Sequence, residues 1–370
     1  AKDGTCRWYV EPRKLDGRPL LDNADAIEPI EAFRPALAGL AGRKVLADPE
    51  EVHAGFLDAI EQGGGRLVAG PSPILLAKAR KNGTEIEGAF AAQRRDGAAV
   101  VRFLAWLDAQ PAGSVDELTA ADRRGFERAQ DPLFQGDSFP TISAAGANAA
   151  LPHYRSVPAS NRRLDPGTVY LVDSGGQYLD ATTDITRTVA IGAPPREAAE
   201  RFTLVLEGMI AVATALFPVG TTGAQLDSFA RAALWRHGLD YDHGTGHGIG
   251  AYLCVHEGPQ RLAKTGTAKL EPGMILSDEP GYYKEGAYGI RIENLLVVAG
   301  RGTPAGGDKA LLGFDVLTLC PIDRRLVVPE LLMAEARRWL DAYHARVEAE
   351  LTPLLPADAA SWLTAACRPL

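Results

Sequence analysis

The chain has 370 residues, of which 46% are hydrophobic and 23% are charged, a balance typical of soluble globular proteins. Its net charge of −8 argues against a general nucleic-acid partner, whose binding surface would be basic. No apolar run approaches the ~18 residues of a membrane span, and the N-terminus lacks a signal pattern. Four scattered cysteines, Cys6, Cys254, Cys320 and Cys367, indicate reduced thiols and therefore a cytoplasmic protein.

The first 75 residues are predicted to form a compact α/β piece. Short apolar runs predict strands at 7–10, 44–47 and 66–69, and helical patterns cover 29–40 and 49–62. No acidic or histidine cluster occurs here, which favours a structural or oligomer-forming role. The strand at 7–10 has no predicted partner before it. We therefore expect this piece to be the last part of a larger domain.

A turn-rich junction at 71–83 predicts the boundary of a second domain over 76–370. Capping-box patterns predict the starts of three helices, at Thr84 with Glu87, at Ser114 with Glu117 and at Thr222 with Gln225. Residues 131–150 are predicted to be a loop, and His153 follows in an extended stretch. The tail from 329 to 343 and beyond is predicted to be helical.

Two hairpins are predicted, each with one carboxylate per strand. A buried strand over 169–173 ends on Asp173, Ser174-Gly175-Gly176 is the predicted turn, and the strand over 178–190 returns with Asp184, Thr186 and Thr188 on one face. Helical patterns at 196–217 and 222–238 separate it from the second hairpin. There a strand over 274–279 ends on Glu279, Pro280-Gly281 is the predicted turn, and the strand over 288–298 carries Arg291 and Glu293. This weak internal repeat predicts a pseudo-symmetric domain whose hairpins meet at one site.

A glycine-rich segment from His243 to His256 holds three of the seven histidines. Glycines at every second position through its first half make a helix unlikely, despite the i, i+4 spacing of His243 and His247. The segment also differs from the helical His-Glu-x-x-His zinc motif, because no glutamate lies between these histidines. A backbone this bare can approach a ligand closely.

Four strand carboxylates and His247 together indicate a metal site. A single Asp at a strand end is more often a turn residue, but burying four carboxylates requires pairing, a shared proton or a cation. With this number of acidic groups, cations are the favoured solution. Oxygen ligands with one imidazole suit Mn²⁺, Co²⁺, Fe²⁺ or Zn²⁺. A bridged pair of such ions would generate a hydroxide nucleophile near neutral pH.

Six segments resemble the pita-bread metallopeptidases of peptidase family M24, and within them the Xaa-Pro aminopeptidases of the longer, eukaryotic cytosolic form. They are Val172-Asp173-Ser174-Gly175, Thr182 to Thr188, His243 to Gly250, Val255-His256-Glu257-Gly258-Pro259, Asp278 to Tyr283 and Gly289 to Asn294. The resemblance covers about 72–345. It implies an α/β (α+β) pita-bread catalytic domain with pseudo-two-fold halves over 76–370. Relatives carry two domains before the catalytic one, so 1–75 would be the C-terminal part of a creatinase-like N-terminal domain.

The resemblance also implies the roles of individual residues. Five residues would bind two divalent metal ions: Asp173, Asp184, His247, Glu279 and Glu293. Asp184 and Glu293 would bridge the ions, Asp173 would hold one of them, and His247 and Glu279 the other. His153 would contact the substrate near the scissile bond, and His243 would shuttle protons. His256 would hydrogen-bond the substrate carbonyl or the tetrahedral intermediate, and Arg291 would orient the carboxylates. Mn²⁺ is the expected metal, with Co²⁺ or Zn²⁺ as alternatives.

The implied activity is removal of the N-terminal residue that precedes proline in a peptide. A prolidase acting on Xaa-Pro dipeptides is the nearest alternative, and a methionine aminopeptidase is a weaker one. A creatinase-like enzyme would need no metal, which five intact ligands argue against. A non-catalytic peptide- or protein-binding module remains a further alternative. The expected partners are a peptide with proline second and another copy of the chain in a homodimer, with no nucleic acid and no membrane.

Overall fold

The structure is a computed structural model that describes residues 5–15, 24–111 and 113–370. The chain divides into two compact units, Ala1–Leu76 and Ala77–Leu370. Within the described ranges, no helix is both long enough and apolar enough to cross a lipid bilayer.

The first unit contains two short parallel strand pairs. Its elements are β1 (Arg7–Tyr9), β2 (Ala26–Glu28), α1 (Phe33–Ala38), β3 (Lys44–Ala47), α2 (Ala54–Gln62) and β4 (Arg66–Ala69). β1 pairs with β2, which the sequence did not predict, and β3 pairs with β4. The helix predicted from 49 begins later because the His53 side chain accepts a hydrogen bond from Gly55 N at 3.1 Å and caps α2. Assignment of this unit to a creatinase-like domain stays a prediction.

The second unit alternates helix pairs with antiparallel sheets. After α3 (Pro73–Ala79), its helices are α4 (Gly83–Asp108), α5 (Glu117–Arg128), α6 (Arg196–Ala213), α7 (Gly223–Trp235), α8 (Ala334–Leu351) and α9 (Ala357–Ala366). The strands of its first half are β5 (Phe134–Asp137), β6 (Ile142–Ala145), β7 (Thr168–Ser174), β8 (Gly176–Tyr178), β9 (Ala181–Thr182) and β10 (Ile185–Ile191). Those of its second half are β11 (Phe217–Pro218), β12 (Gly246–His247), β13 (Arg261–Leu262), β14 (Ile275–Asp278), β15 (Gly281–Lys284), β16 (Tyr288–Arg291), β17 (Asn294–Gly302) and β18 (Leu311–Val316).

Each half of this unit places a helix pair on a sheet. In the first half, α4 and α5 accompany the sheet β6-β7-β10, and Phe103 packs with Tyr170 and Val172 in one apolar cluster. In the second half, α6 and α7 accompany the sheet β11-β18-β17-β14, and Met209 and Leu296 share the largest cluster. The arrangement agrees with the internal repeat predicted from the sequence.

The strands that carry the acidic residues are broken near those residues. Gly175 separates β7 from β8, and residues 183–184 separate β9 from β10. In the second half, residues 279–280 separate β14 from β15, and 292–293 separate β16 from β17. β7 pairs with β10 and β8 with β9, while β14 pairs with β17 and β15 with β16. Each long hairpin therefore consists of two successive antiparallel strand pairs, and one break in each of its two strands separates them.

The predicted hairpin turns at 174–176 and 280–281 are wrong. The chain continues through both positions and reverses later, at 179–180 and 285–287. A Cβ on Gly175 would lie 2.0 Å from Thr183 O, so only a glycine at this position allows the two strands of the hairpin to pass so close to each other. Pro280 has no N–H for a strand ladder, and it ends one pairing before the next begins.

The first two predicted capping boxes are wrong, whereas the third is confirmed. Asn82, not Thr84, caps α4, because Asn82 Oδ1 accepts from Glu85 N at 3.0 Å and Glu85 Oε2 accepts from Asn82 N at 2.9 Å. Asp116 caps α5 by accepting from Thr119 N at 2.8 Å. The reciprocal box of Thr222 and Gln225 is present at α7.

Glu117 explains why 131–150 is not a simple loop. Its side chain is fully buried and accepts hydrogen bonds from Ala145 N at 2.7 Å, Asn148 Nδ2 at 2.9 Å and Tyr154 Oη at 2.9 Å. These bonds hold β6 and the 3₁₀ turn Gly146–Ala150 against α5. His153 consequently lies in a turn closed by a hydrogen bond from Tyr154 N to Leu151 O, and the extended stretch predicted there is wrong.

Candidate metal centre

Three of the predicted ligands form a tight cluster although they are distant in sequence. One ligand atom each of Asp184, His247 and Glu293 lies within 4.8 Å of the others. Asp184 and Glu293 occupy the breaks before β10 and β17, and His247 ends β12. A strand break leaves the side chain of its residue free of the regular pleat, so carboxylates from both hairpins can converge on the imidazole.

The other two predicted ligands border the same cluster. Glu279 follows β14, and its Oε1 lies 3.4 Å from His247 Nε2. Asp173 precedes the end of β7, and its Oδ2 accepts a hydrogen bond from Arg291 Nη2 at 2.6 Å. Arg291 also reaches toward Glu279 Oε2, 3.8 Å from its Nε. The guanidinium therefore connects the acidic residues of the two hairpins.

Glycines allow the histidine segment to approach the second hairpin. A Cβ on Gly246 would lie 1.9 Å from Ser277 O, and one on Gly248 would lie 2.0 Å from Glu257 O. Ser277 Oγ accepts from His247 N at 2.9 Å and donates to Glu279 Oε1 at 3.1 Å. The prediction that this segment is not helical is confirmed, and the bare backbone places an imidazole against the carboxylates.

Burial and mutual repulsion shift the protonation of the cluster. Burial raises the pKa of Asp184 to about 6, with the Asp173 charge adding to the rise. Burial likewise raises the pKa of Glu279 to about 7 and the pKa of Glu293 well above its usual range. For His247, burial lowers the pKa, but the hydrogen bond to Asp184 and the Glu279 charge outweigh it and raise the pKa to about 9. Such a cluster favours any added positive charge.

Free carboxylate oxygens show that the cluster fits a cation. Glu293 Oε2 accepts from Thr186 Oγ1 at 3.0 Å, while its Oε1 is buried without a partner among the described residues. Asp173 shows the same division, since Arg291 holds Oδ2 and the buried Oδ1 has no partner in the described part of the chain. One oxygen oriented by a protein donor and one left free is the usual arrangement of a metal-binding carboxylate.

A cavity of about 450 Å³ opens onto this cluster. Its lining includes Phe139, Ile142, Pro152, His153, Asp173, Asp184, His243, His247, His256, Arg261, Glu279 and Arg291. His153 and His256 are both exposed. The ring of His256 meets that of His247 edge-on, with centroids 4.1 Å apart. Eight of the nine residues predicted for the site line the cavity. The ninth, Glu293, is buried and belongs to the three-residue cluster with Asp184 and His247.

His243 ends a chain of hydrogen bonds that begins at Asp173. Arg291 Nη1 donates to Tyr283 Oη at 2.8 Å, and that hydroxyl lies 2.8 Å from His243 Nε2. His243 Nδ1 lies 2.7 Å from Gly244 O, which can only accept, so Nδ1 carries the proton. Burial lowers the pKa of His243 to about 4, and the neutral ring therefore accepts the Tyr283 proton at Nε2.

Four residues of the site were not predicted from the sequence as site residues. Thr186 and Ser277 hydrogen-bond to the predicted ligands Glu293 and Glu279, and Tyr283 hydrogen-bonds to His243. Arg187 is buried and donates to Glu293 O and to Asn294 Oδ1. A usable signal existed for Arg187, because it shares a strand face with the apolar Ile185 and Val189. A charge on an apolar face indicates a buried, fully paired group.

The sequence is similar to those of known metallopeptidases. The sequence profile of metallopeptidase family M24 matches residues 87–299, and the profile of the C-terminal region of that family matches 310–370. A Laccaria bicolor protein named "Probable Xaa-Pro aminopeptidase P" is 48% identical over 308 residues, covering 81% of this chain and 48% of the relative. A protein of the same name from Metarhizium robertsii is 46% identical over 393 residues, covering 99% of this chain and 63% of the relative. The chain thus spans about half to two thirds of their length.

A solved structure is similar over nearly the whole chain. The X-prolyl aminopeptidase of Caenorhabditis elegans, described as a cytosolic enzyme with a di-nuclear active site, matches with a TM-score of 0.86 and 38% identity. The match covers 93% of this chain and 58% of the nematode chain. The similarity confirms the fold class predicted from the sequence.

Proposed function

The chain belongs to metallopeptidase family M24, and from that premise we propose that it is the catalytic part of an aminopeptidase that removes the residue preceding proline from the N-terminus of peptides. The observation that carries the proposal is the cluster of Asp184, His247 and Glu293 within 4.8 Å beneath an open cavity. The names of its relatives support the choice of substrate.

The proposed centre holds two divalent ions on Asp173, Asp184, His247, Glu279 and Glu293. Asp184 and Glu293 would be shared by the two ions, Asp173 would hold one of them, and His247 with Glu279 would hold the other. The free oxygens of Asp173 and Glu293 support this assignment. When bound, such ions lower the pKa of water and polarise a carbonyl group. The oxygen-rich set with one imidazole suits Mn²⁺, with Co²⁺ or Zn²⁺ as alternatives.

Side chains around the ligands have separate tasks in this proposal. The leaving nitrogen of proline must gain a proton when the bond breaks. His243 is assigned to this relay, because its neutral ring has an unprotonated Nε2 that can take up the proton released by the attacking water and pass it to the leaving nitrogen. Arg291 holds Tyr283 and Asp173 in place through its two Nη atoms. This network fixes the position of the proposed proton relay relative to the acidic cluster.

The exposed histidines are assigned to the substrate. The ring of His256 is only partly exposed, and partial burial together with the nearby His247 charge lowers its pKa. The lowered pKa favours the neutral ring, which would donate one hydrogen bond to the carbonyl oxygen of the first residue. His153 lines the same cavity and is assigned a second contact near the scissile bond. Phe139, Ile142 and Pro152 supply an apolar wall suited to the ring of proline.

The proposed setting is a cytoplasmic homodimer. All four cysteines are unpaired in the structure, as expected in a reducing compartment, and the nematode relative is described as cytosolic. The homodimer rests on the family resemblance of the sequence. Light scattering coupled to gel filtration would measure the mass of the particle, and a monomer at micromolar concentration would contradict the dimer.

Peptide hydrolysis tests the proposed activity. We expect cleavage of Xaa-Pro-Yaa tripeptides, weak cleavage of Xaa-Pro dipeptides and none of Xaa-Ala-Yaa. Activity should disappear after chelation and return with Mn²⁺. Preferred cleavage of dipeptides would identify a prolidase instead. Metal-loaded, folded protein that cleaves no Xaa-Pro peptide would indicate a binding module.

A further inference from the structure

We propose that Arg261 forms a carboxylate-binding subsite in the cavity and thereby selects short peptides with a free carboxylate just beyond the cleaved bond. The inference rests on the proposed function and extends it to the substrate class. The sequence did not single out Arg261, which belongs to neither the ligand set nor the histidine set.

The register of β12 and β13 places Arg261 beside the metal centre. Arg261 is the direct antiparallel partner of His247, and residues directly opposite each other project from the same face of a strand pair. The His247 ring points to Asp184 and Glu279. The Arg261 side chain therefore starts from that same face, and it lines the cavity.

The backbone below Arg261 is fixed, while its side chain is exposed. The neighbouring Leu262 is fully buried, and a Cβ on Gly223 at the start of α7 would lie 1.8 Å from Arg261 O. Ala224 N further donates to Gly266 O at 2.9 Å. A side chain on a fixed backbone loses less conformational entropy on binding a ligand than a side chain in a mobile loop.

The guanidinium of Arg261 is free to bind a ligand. It makes no ion pair and no side-chain hydrogen bond with any residue that the structure describes. In contrast, Arg291 in the same cavity is held by Asp173 and Tyr283. Lys264, three residues along, lies 3.6 Å from Asp240 and does not line the cavity. The planar fork of an unpaired arginine matches a carboxylate in bidentate geometry.

The spacing suits a carboxylate close to the scissile bond. Adjacent strands lie ~4.8 Å apart, so the base of Arg261 lies one strand away from the imidazole assigned to the metal. In a tripeptide Xaa-Pro-Yaa, two residues separate the cleaved bond from the C-terminal carboxylate, roughly 7 Å of extended chain. The arginine side chain can cover that offset. An acidic side chain on the third residue presents the same group at a similar distance.

Three peptides and three variants test the subsite. The peptides are Xaa-Pro-Ala as the free acid, Xaa-Pro-Ala with an amidated C-terminus, and amidated Xaa-Pro-Glu. Arg261→Gln should raise KM for the free acid roughly tenfold, as expected for a lost charge-assisted contact, and change kcat little. The amidated alanine peptide should be unaffected. Arg261→Lys should rescue part of the loss, and Lys264→Gln is the matched control that should change nothing.

The two acidic peptides distinguish the source of the carboxylate. A selective effect on the free acid assigns the subsite to the C-terminus, and a selective effect on amidated Xaa-Pro-Glu assigns it to an acidic side chain. An equal effect of Arg261→Gln on all three peptides, or no effect, would overturn the proposal. Calorimetric binding of Pro-Ala and its amide to metal-loaded protein needs no turnover. Discrimination that depends on Arg261 without any cleavage would reject the proposed activity but keep the subsite.

Discussion

The side-chain amide of Gln177 pairs with the backbone of Leu253 on both sides: Nε2 donates to Leu253 O at 2.8 Å, and Oε1 accepts from Leu253 N at 2.9 Å. Leu253 has a φ of 69°, in the region that favours glycine, and no other described non-glycine residue has a positive φ. The bonds join β8 to the loop that carries His256. They hold that loop in a conformation that leucine alone disfavours by about 1 kcal/mol or more.

We expect Gln177→Ala to displace His256. The variant should keep its metal and lose roughly tenfold in kcat, because an acid–base or oxyanion group would be misplaced. Leu253→Gly relieves the strain, so Gln177→Ala should cost less in that background. A double-mutant cycle of kcat/KM measures the coupling. Gln135→Ala, at an exposed glutamine, is the control. Additive effects of the two substitutions would show that Gln177 does not hold the loop in its Leu253 conformation.

Metal content should separate bridging from terminal ligands. Asp184→Ala and Glu293→Ala should each lose both ions, because a bridging carboxylate supports two positions. Asp173→Ala should retain more metal than either. Elemental analysis of folded, reloaded protein measures the ratio. Asp315→Ala, which removes an exposed partner of Arg301, should bind as wild type does, and loss of a single ion in both bridge variants would refute the assignment.

The histidines should divide into two groups. His247→Ala should lose metal, since this ring lies 3.4 Å from Glu279 and 3.5 Å from Asp184. His243→Ala and His256→Ala should keep metal and lose about 10²-fold in kcat, the usual size for acid–base and oxyanion groups. Exposed His237 supplies the control substitution. Near-normal kcat in His243→Ala, or metal loss in it, would disprove the relay.

The chelated protein should be less stable at pH 9 than at pH 6. The folded pKa of about 6 for Asp184 and about 7 for Glu279 exceeds the ordinary value near 4. Their ionisation therefore penalises the folded state as the pH rises. His247 acts in the same direction. Its stabilisation is complete below about 6.5 and is lost as the pH passes its folded pKa of about 9.

Thermal melting measures this dependence on pH. The midpoint with chelator should fall from pH 6 to pH 9. With saturating metal the fall should shrink or reverse, because bound cations replace the protons on the carboxylates. Equal slopes with and without metal would show that the cluster does not bind the ions.

Two glycine substitutions should have opposite signs. Gly246→Ala places a Cβ 1.9 Å from Ser277 O, and we expect a loss of about 2 kcal/mol or more in unfolding free energy together with weaker metal binding. Gly125→Ala, in α5 with open space around it, should gain about 0.5–1 kcal/mol. Urea titration measures both, and a neutral Gly246→Ala would contradict the close approach of β12 to β14.

The sequence pattern singled out the four acidic residues, which lie at a strand end or on a strand face, and the histidines of the glycine-rich segment, whereas His153 was assigned only through the family resemblance. It could not place the hairpin turns. Pro280-Gly281 has the composition of a turn, yet the chain runs on into β15, since Gly281 finds a new partner opposite Arg291. Tertiary packing decides which strands pair, and a local sequence pattern carries no information about that pairing.

Other misses have the same origin. Glu117 fits a capping box by spacing, but Ala145, Asn148 and Tyr154 from a distant segment donate to it. In the sequence, Tyr283 looks like an ordinary strand tyrosine. Only the structure shows that its hydroxyl is hydrogen-bonded to both Arg291 and His243. Arg261 is an ordinary exposed residue in the sequence. Its position beside His247 appears only in the register of two strands of two residues each.

The broken hairpins also bear on the order of events in folding. Asp184 and Glu293 come from different halves of the unit, and a hydrogen bond from Glu293 N to Thr186 O joins the two halves beside them. A cation therefore has no complete binding site until late in the folding reaction. Bound metal should slow the unfolding rate while leaving the refolding rate nearly unchanged, as for interactions absent from the transition state. On that basis the ions would set the lifetime of the native protein more than the speed at which it forms.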